Sequence, residues 1–239
     1  MGWREPPLSP DGHPKEMRQG LRPTPQMRKG EACRMMLAGR ASSAYLGPMS
    51  PRSRDLFGSE PSLPPGFRYQ PDLISPEEER ALVARLAELP FKEFEFQGYR
   101  GKRRVVSFGW QYDFTHARLH RVEDMPEFLL AVRGRAAAFA GIAAADLQHV
   151  LLTEYGPGAP IGWHRDRGVF AEVVGISLVS PCTFRLRRKA GDRWERVNLV
   201  LEPRSAYLLE GLARTEWEHS IPPVEQLRYS ITFRNLKPR

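Results

Sequence analysis

The chain has 239 residues, of which 41% are hydrophobic and 27% are charged, as expected of a globular protein large enough to bury a core. Its net charge of +8 favours an anionic partner, and nucleic acid is the commonest large one. Cys33 and Cys182 lack C-x-x-C spacing, which argues against a disulfide framework or a thiolate zinc site. Without an apolar run of membrane-spanning length or a signal pattern, we predict a cytoplasmic protein with no membrane association.

Residues 1–60 are rich in Pro, Gly, Arg, Met and Ser and show no helical or alternating apolar period. Such a segment buries too little apolar surface to offset its ordering entropy, so we predict a disordered N-terminal tail. Met49 offers an alternative start, which would make the first 48 residues a misassigned extension. A targeting peptide is a weaker alternative, because acidic residues recur along the segment. The folded domain is predicted over residues 61–239.

Two helices are predicted early in the domain. The first covers residues 75–90, where Ser75 is an N-cap, Glu78 closes a capping box and a proline ends the helix. The second covers residues 126–140 and is followed by Gly141, a residue common after the last helical turn. Both carry leucine or other apolar residues at helical spacing, which indicates that each packs one face on a core.

Most of the remaining chain predicts strands, because its segments are short, rich in β-branched or aromatic residues and separated by turn residues. They cover residues 103–114, 147–155, 173–179, 182–187, 196–201, 205–211 and 228–234. Two helices followed by many short strands indicate a mainly β fold with flanking helices, of the α+β class, arranged as a sandwich or jelly roll.

The last strand, RYSITFR at residues 228–234, alternates strictly between polar and apolar side chains. Such alternation predicts one apolar face and one face that is either solvent-exposed or lines a wet cavity. Arg228 and Arg234 stand at the two ends of the polar face, with Ser230 between them. Two guanidinium groups on one face are suited to an anion with two carboxylates.

The stretch IGWHRDRGVF places His164 and Asp166 two residues apart, so that both project to one side of an extended chain. His219 is the best third partner, because it closely precedes the two-arginine strand. Two histidines and one carboxylate are the ligand set of non-haem Fe(II) oxygenases, with open positions for a 2-oxo acid and dioxygen. A salt-bridged surface loop is the alternative. The other histidines are assigned to the tail, the core or solvated positions: His13, His149, His116 and His120.

The H-x-D motif, the distal histidine and RYSITFR together resemble the AlkB family of Fe(II)/2-oxoglutarate dioxygenases. The resemblance covers residues 64–239 and implies a jelly-roll core of the double-stranded β-helix type. It implies iron ligation by His164, Asp166 and His219, with O2 and 2-oxoglutarate as cosubstrates. The implied contacts to 2-oxoglutarate are Arg228, Arg234, Ser230 and Tyr155 of T-E-Y-G-P-G, where Thr153 stands in place of the family's asparagine.

The family's activity implies hydroxylation of an alkyl group or oxidative dealkylation, and we expect nucleic acid as substrate, in DNA or RNA alkylation repair or modification. Residues 98–114 mix basic and aromatic side chains suited to phosphates and to a flipped or single-stranded base. The candidates are Lys102, Arg103, Arg104, Trp110 and Tyr112. A strand whose aromatic residues pack against the helices is the alternative.

Arg167 and Gly168 follow H-x-D where DNA-repair members of the family carry acidic residues, which leaves DNA and RNA both open. Methylated protein side chains are an alternative substrate, and a cupin-like binding module without turnover is an alternative to an enzyme. We predict a monomer.

Overall fold

A computed structural model describes residues 62–96, 99–113 and 118–237. The predicted tail, with His13 and Cys33, lies outside the described residues, as does His116, so the domain boundary near residue 61 stays a prediction. The helices are α1 (Pro76–Ala87), α2 (Leu130–Ala140) and α3 (Gly211–Thr215), with short 3-10 turns at Glu127–Leu129 and Ala144–Asp146.

Thirteen strands contain far more of the described residues than the helices do. They are β1 (Phe67–Gln70), β2 (Lys92–Phe96), β3 (Tyr99–Phe108), β4 (Trp110–Asp113), β5 (Arg118–Arg121), β6 (His149–Tyr155), β7 (Ile161–His164), β8 (Phe170–Leu178), β9 (Cys182–Ala190), β10 (Arg193–Leu201), β11 (Ala206–Leu209), β12 (Glu218–Ile221) and β13 (Arg228–Leu236).

Two antiparallel sheets form the body of the domain. The larger has seven strands in the order β1-β11-β8-β13-β6-β3-β2, and the smaller has four in the order β10-β9-β12-β7. Strands β4 and β5 form a separate hairpin. Apart from the consecutive pairs β2–β3 and β9–β10, neighbouring strands in the two sheets are distant in sequence, as in a jelly roll. The predicted mainly β fold with flanking helices and a jelly-roll core is therefore confirmed.

The helices form where the capping signals predicted them. Ser75 caps α1 by accepting a hydrogen bond from the backbone of Glu78, and the Glu78 side chain accepts one from the backbone of Ser75. Helix α2 ends at Gly141, whose φ of 77° is in the left-handed region that glycine adopts without steric cost. The buried residues of both helices pack on the outer face of the larger sheet.

The alternation along β13 separates two hydrophobic clusters. Tyr229, Ile231 and Phe233 face the helices, in the cluster that contains the buried leucines of α1. The opposite face of β13 looks into the space between the two sheets, where Phe184, Tyr207 and Trp217 belong to the second cluster. Since β13 is flanked by β6 and β8, its polar residues line the interior, and the alternative of a solvated outer strand is wrong.

The predicted strand over residues 103–114 is interrupted at Gly109. This glycine has a φ of 77°, and a Cβ atom there would lie 2.1 Å from the carbonyl oxygen of Gln148. The chain therefore turns between β3 and β4, and Tyr112 leaves the face on which Val106 and Phe108 pack against the core. In the described part of the chain, no helix is long and apolar enough to span a membrane.

Candidate active site

The two histidines of the predicted metal site lie on neighbouring strands. His164 ends β7 and is paired directly opposite His219 on β12, so both side chains project to the same face of the smaller sheet. Their ring centroids are 4.2 Å apart. Nδ1 of His164 lies 2.8 Å from the carbonyl oxygen of Gly162, and since a carbonyl only accepts, this nitrogen donates and Nε2 is left as the acceptor.

Asp166 joins the two histidines from just beyond β7. Its Oδ2 lies 3.7 Å from Nε2 of His219, while its Oδ1 accepts hydrogen bonds from Nε and Nη2 of Arg234 at 2.8 and 2.6 Å. Oδ2 is buried and has no hydrogen-bond partner among the described residues. A buried carboxylate oxygen without a partner is costly unless a ligand satisfies it, so this donor set fits a bound cation.

The protonation states of the three groups also suit a metal. Burial, reinforced by the neighbouring His164, lowers the pKa of His219 to about 3, and burial likewise lowers the pKa of His164. Burial alone would raise the pKa of Asp166, but Arg234, His219, His164 and Arg214 together outweigh it and keep that pKa below its ordinary value. At neutral pH the site therefore presents two neutral imidazoles and one carboxylate, the forms that ligate metals.

The three side chains are neighbours without forming a finished cage. Across residues 62–96, 99–113 and 118–237, no three His, Cys, Asp or Glu side chains are already spaced to hold a metal ion. The ligand roles of His164, Asp166 and His219 therefore belong to the proposal below.

The predicted cosubstrate residues share the inner face of the larger sheet. Strand β13 pairs Arg228 with Tyr155 on β6 and Ser230 with Ser177 on β8. All of these side chains are buried. Arg234 lies at the other end of β13, where it binds Asp166, so the two arginines are separated along the strand and only one is at the metal end.

The guanidinium of Arg228 is buried and forms no ion pair with an acidic residue in the described ranges. The residue is 0% exposed, its Nε donates to Oγ of Ser177 at 3.0 Å, and its guanidinium carbon lies 5.0 Å from the ring centre of Tyr155. Its Nη1 has no hydrogen-bond partner among the residues that the structure describes. A buried cation with an unsatisfied nitrogen is suited to bind a carboxylate.

A cavity of approximately 1640 Å³ connects these groups. Its wall includes the three candidate ligands together with Tyr155, Ser230 and Arg234, and the guanidinium of Arg228 packs against the ring of Tyr155. The volume far exceeds that of a small dicarboxylate, because ordinary ligand pockets measure about 300–1,000 Å³. The cavity therefore has space for a second molecule, bounded by residues of β2, β3 and β4.

The five candidate substrate residues diverge in position. Arg103 and Tyr112 line the cavity, whereas Lys102, Arg104 and Trp110 do not. For Lys102 and Arg104 the reason is alternation along β3, since neighbours of the inward-facing Arg103 point outward. Arg104 instead forms an exposed ion pair with Glu154, with both Nε and Nη2 donating at 2.7 Å.

Arg103 enters the cavity as a cation that has no carboxylate partner in the part of the chain that the structure describes. Its guanidinium carbon lies 3.9 Å from the ring centre of Phe94, and it makes no ion pair with another described residue. Burial lowers its pKa, opposed by the nearby Tyr155.

Two residues that support the site were not predicted from the sequence. Arg214 on α3 is buried, and its Nη2 donates to the carbonyl oxygens of Arg167 and Phe170 at 2.6 and 3.0 Å, which holds the loop after Asp166 in place. Ser177 holds Arg228. Neither residue belongs to a recognisable motif, so only the fold reveals these roles.

Comparison with known proteins identifies the class. A profile of the 2OG-Fe(II) oxygenase superfamily matches residues 66–234. The "Alkylated DNA repair protein ALKBH8 homolog" of Arabidopsis thaliana is 27% identical over 184 residues, covering 66% of this chain and 51% of that protein. The "tRNA (carboxymethyluridine(34)-5-O)-methyltransferase alkbh8" of Xenopus tropicalis is 26% identical over 168 residues, which cover 68% of this chain and 26% of that protein. The chain thus spans about half or less of these relatives.

The solved structure "The structure of OsALKBH1" has the same fold, with a TM-score of 0.54 at 17% identity, covering 73% of this chain and 99% of that one. The chain belongs to the 2OG-Fe(II) oxygenase superfamily, whose members use Fe(II), 2-oxoglutarate and O2. Its relatives include AlkB homologues, to which the chain is similar.

Proposed function

We propose that this protein is an Fe(II)/2-oxoglutarate-dependent dioxygenase that hydroxylates or removes an alkyl group on nucleic acid. The observation that carries the proposal is one cavity whose wall includes Asp166 and His219 together with Arg103, Phe94 and Tyr112. The same cavity therefore offers metal-binding groups, a cation and aromatic rings. Cations suit phosphates, and aromatic rings suit unstacked bases.

The proposal assigns a role to each residue of the candidate active site. His164, Asp166 and His219 bind Fe(II), and Arg234 orients the carboxylate of Asp166 through two hydrogen bonds. Arg228 binds the distal carboxylate of 2-oxoglutarate through the nitrogen that has no partner, beside Tyr155 and Ser230.

When bound, Fe(II) with 2-oxoglutarate and O2 supplies the oxidation, which converts 2-oxoglutarate to succinate and carbon dioxide and inserts one oxygen atom into a substrate C–H bond. On an N-methyl group the hydroxylated product releases formaldehyde and leaves the nitrogen with a proton. The names of the relatives, which refer to alkylated DNA and to tRNA, support nucleic acid as the substrate class.

A methylated cationic protein side chain is a second candidate substrate. Glu93 and Glu123 also line the outer part of the cavity, and carboxylates favour a cation there.

The two candidates are tested by measuring succinate release in the presence of methylated single-stranded DNA, tRNA or methylated peptides. Stimulation by a nucleic acid pool, with formaldehyde released in step, supports the proposal, and stimulation by peptides alone overturns it. Competition by an unmodified oligonucleotide should weaken steeply with salt if phosphates are bound.

Arg103→Met tests the cavity assignment, with Lys102→Met as the matched control because the neighbouring Lys102 is exposed and lies outside the cavity. We expect Arg103→Met to lower turnover of the nucleic acid at least tenfold, the loss of about one charged hydrogen bond, while Lys102→Met has little effect. Equal effects of the two variants would contradict a role for Arg103 in substrate binding.

A further inference from the structure

The outer face of the four-stranded sheet carries basic and aromatic side chains that neither hydrophobic cluster uses. Along β9 the inward residues are buried, and those between them, Arg185, Arg187 and Lys189, point to the other face. The register across β10 pairs Arg187 with Arg196 and Lys189 with Trp194, so these residues share the outer face.

Two tryptophans sandwich one arginine on this face. The guanidinium carbon of Arg187 lies 4.3 Å from the ring centre of Trp163 and 4.4 Å from that of Trp194. Nε of Arg187 donates to Glu218 at 2.7 Å, and Arg185 lies 5.1 Å from the same Trp163 ring. Stacking and the ion pair hold the two indole rings in fixed positions.

The charge of this face is strongly positive. Arg185, Arg187, Lys189 and Arg196 share it with one carboxylate, Glu218, on strands that the structure describes throughout. Lys189 and Arg196 are exposed and form no ion pair with any described residue. Trp194 is 38% exposed, which is high for an indole that only supports the fold. Unpaired cations beside an exposed aromatic ring match phosphates and bases.

The basic face is continuous with the active-site cavity. Trp163 immediately precedes His164 on β7 and also lines the cavity wall. A strand of nucleic acid whose target nucleotide enters the cavity would therefore meet Trp163 first, and then Arg187 and Trp194.

We propose that this face, the Trp–Arg platform (Trp163, Arg185, Arg187, Lys189, Trp194 and Arg196), binds the single strand that flanks the target nucleotide. The inference rests on nucleic acid being the substrate. Phosphates bind the free cations Lys189 and Arg196, and a base stacks on the exposed ring of Trp194. The platform sets which end of the strand extends over β9 and β10, and it favours substrates longer than a single nucleotide.

The test measures binding of the full chain to a dye-labelled single strand of about twelve nucleotides, as RNA and as DNA, by fluorescence anisotropy over a range of salt. Lys189→Gln with Arg196→Gln should lower the slope of log affinity against log salt by about 1.4, since each phosphate contact contributes about 0.7. Trp194→Ala should weaken binding about 5- to 150-fold through lost stacking.

A matched control is Arg80→Gln with Arg85→Gln on α1, which removes the same charge from exposed residues whose ion pairs are with the nearby Glu77 and Glu88. It should leave the salt slope and the affinity almost unchanged. Succinate release without nucleic acid should be equal in all variants, because none of the changed residues contacts the candidate metal or cosubstrate groups.

The outcomes separate the platform from the proposed function. If the parent binds the oligonucleotides and the platform variants bind them equally well, the proposed role of the platform is wrong, while nucleic acid remains the proposed substrate. If the control weakens binding as much as the platform variants do, the effect is one of net charge and the platform is also wrong. If the parent binds no oligonucleotide but the platform binds an acidic peptide, both proposals fall.

Discussion

Replacing Arg228 by methionine should separate cosubstrate binding from folding stability. In the ligand-free protein the variant loses one hydrogen bond to Ser177, which costs about 1 kcal/mol. It also removes a fully buried guanidinium whose Nη1 has no partner among the described residues. Removing this unsatisfied group stabilises the folded protein by a similar amount and offsets the lost hydrogen bond. We therefore expect the free energy of unfolding without ligand to change by no more than about 1 kcal/mol.

Affinity for 2-oxoglutarate should fall sharply in the same variant, because a carboxylate loses its charged partner at a cost of about 3 kcal/mol, or about 150-fold. Unfolding in urea is measured with Mn(II) as a non-reacting metal. At a 2-oxoglutarate concentration 100 times the parent's dissociation constant, the ligand should stabilise the parent by about 2.7 kcal/mol and the variant by only about 0.3 kcal/mol.

Arg228→Lys is the control, since lysine keeps the charge but lacks the planar guanidinium. Its stabilisation by 2-oxoglutarate should lie between those of the parent and the methionine variant. Equal stabilisation of the parent and the methionine variant by 2-oxoglutarate would refute the assignment of Arg228. A large loss of stability without ligand would refute the reasoning about its unsatisfied nitrogen.

His219→Ala should abolish Fe(II)-dependent succinate release and the visible absorption of the anaerobic Fe(II)–2-oxoglutarate complex, and a variant that keeps both would remove His219 from the metal site. Gly175→Ala should destabilise the protein by about 1–3 kcal/mol in urea unfolding, because its Cβ would lie 2.2 Å from the ring of Tyr207, which is itself packed between Phe67 and Phe184. Gly134→Ala in α2 should instead stabilise it by about 1 kcal/mol, since nothing lies within 4 Å of the added Cβ. Effects of the same sign at the two glycines would contradict the packing argument.

Local signals were sufficient for much of the fold. The capping box at Ser75 and the glycine after α2 place the helix ends because capping is a contact between residues close in sequence. The alternation in RYSITFR identified a strand with two unlike faces for the same reason. Short strands such as β7 and β12 escaped prediction, since four residues carry too little periodicity to be recognised.

The amino-acid sequence by itself determined the chemistry available to this protein: an imidazole–carboxylate motif, a distal histidine and a strand with an arginine at each end. The tertiary structure decided which of these groups meet. It set His164 opposite His219, bound Arg234 to Asp166, and turned Arg103 into the cavity while Arg104 faced solvent. Those contacts depend on strand register between segments far apart along the chain, and register is set by the packing of whole sheets rather than by neighbouring residues.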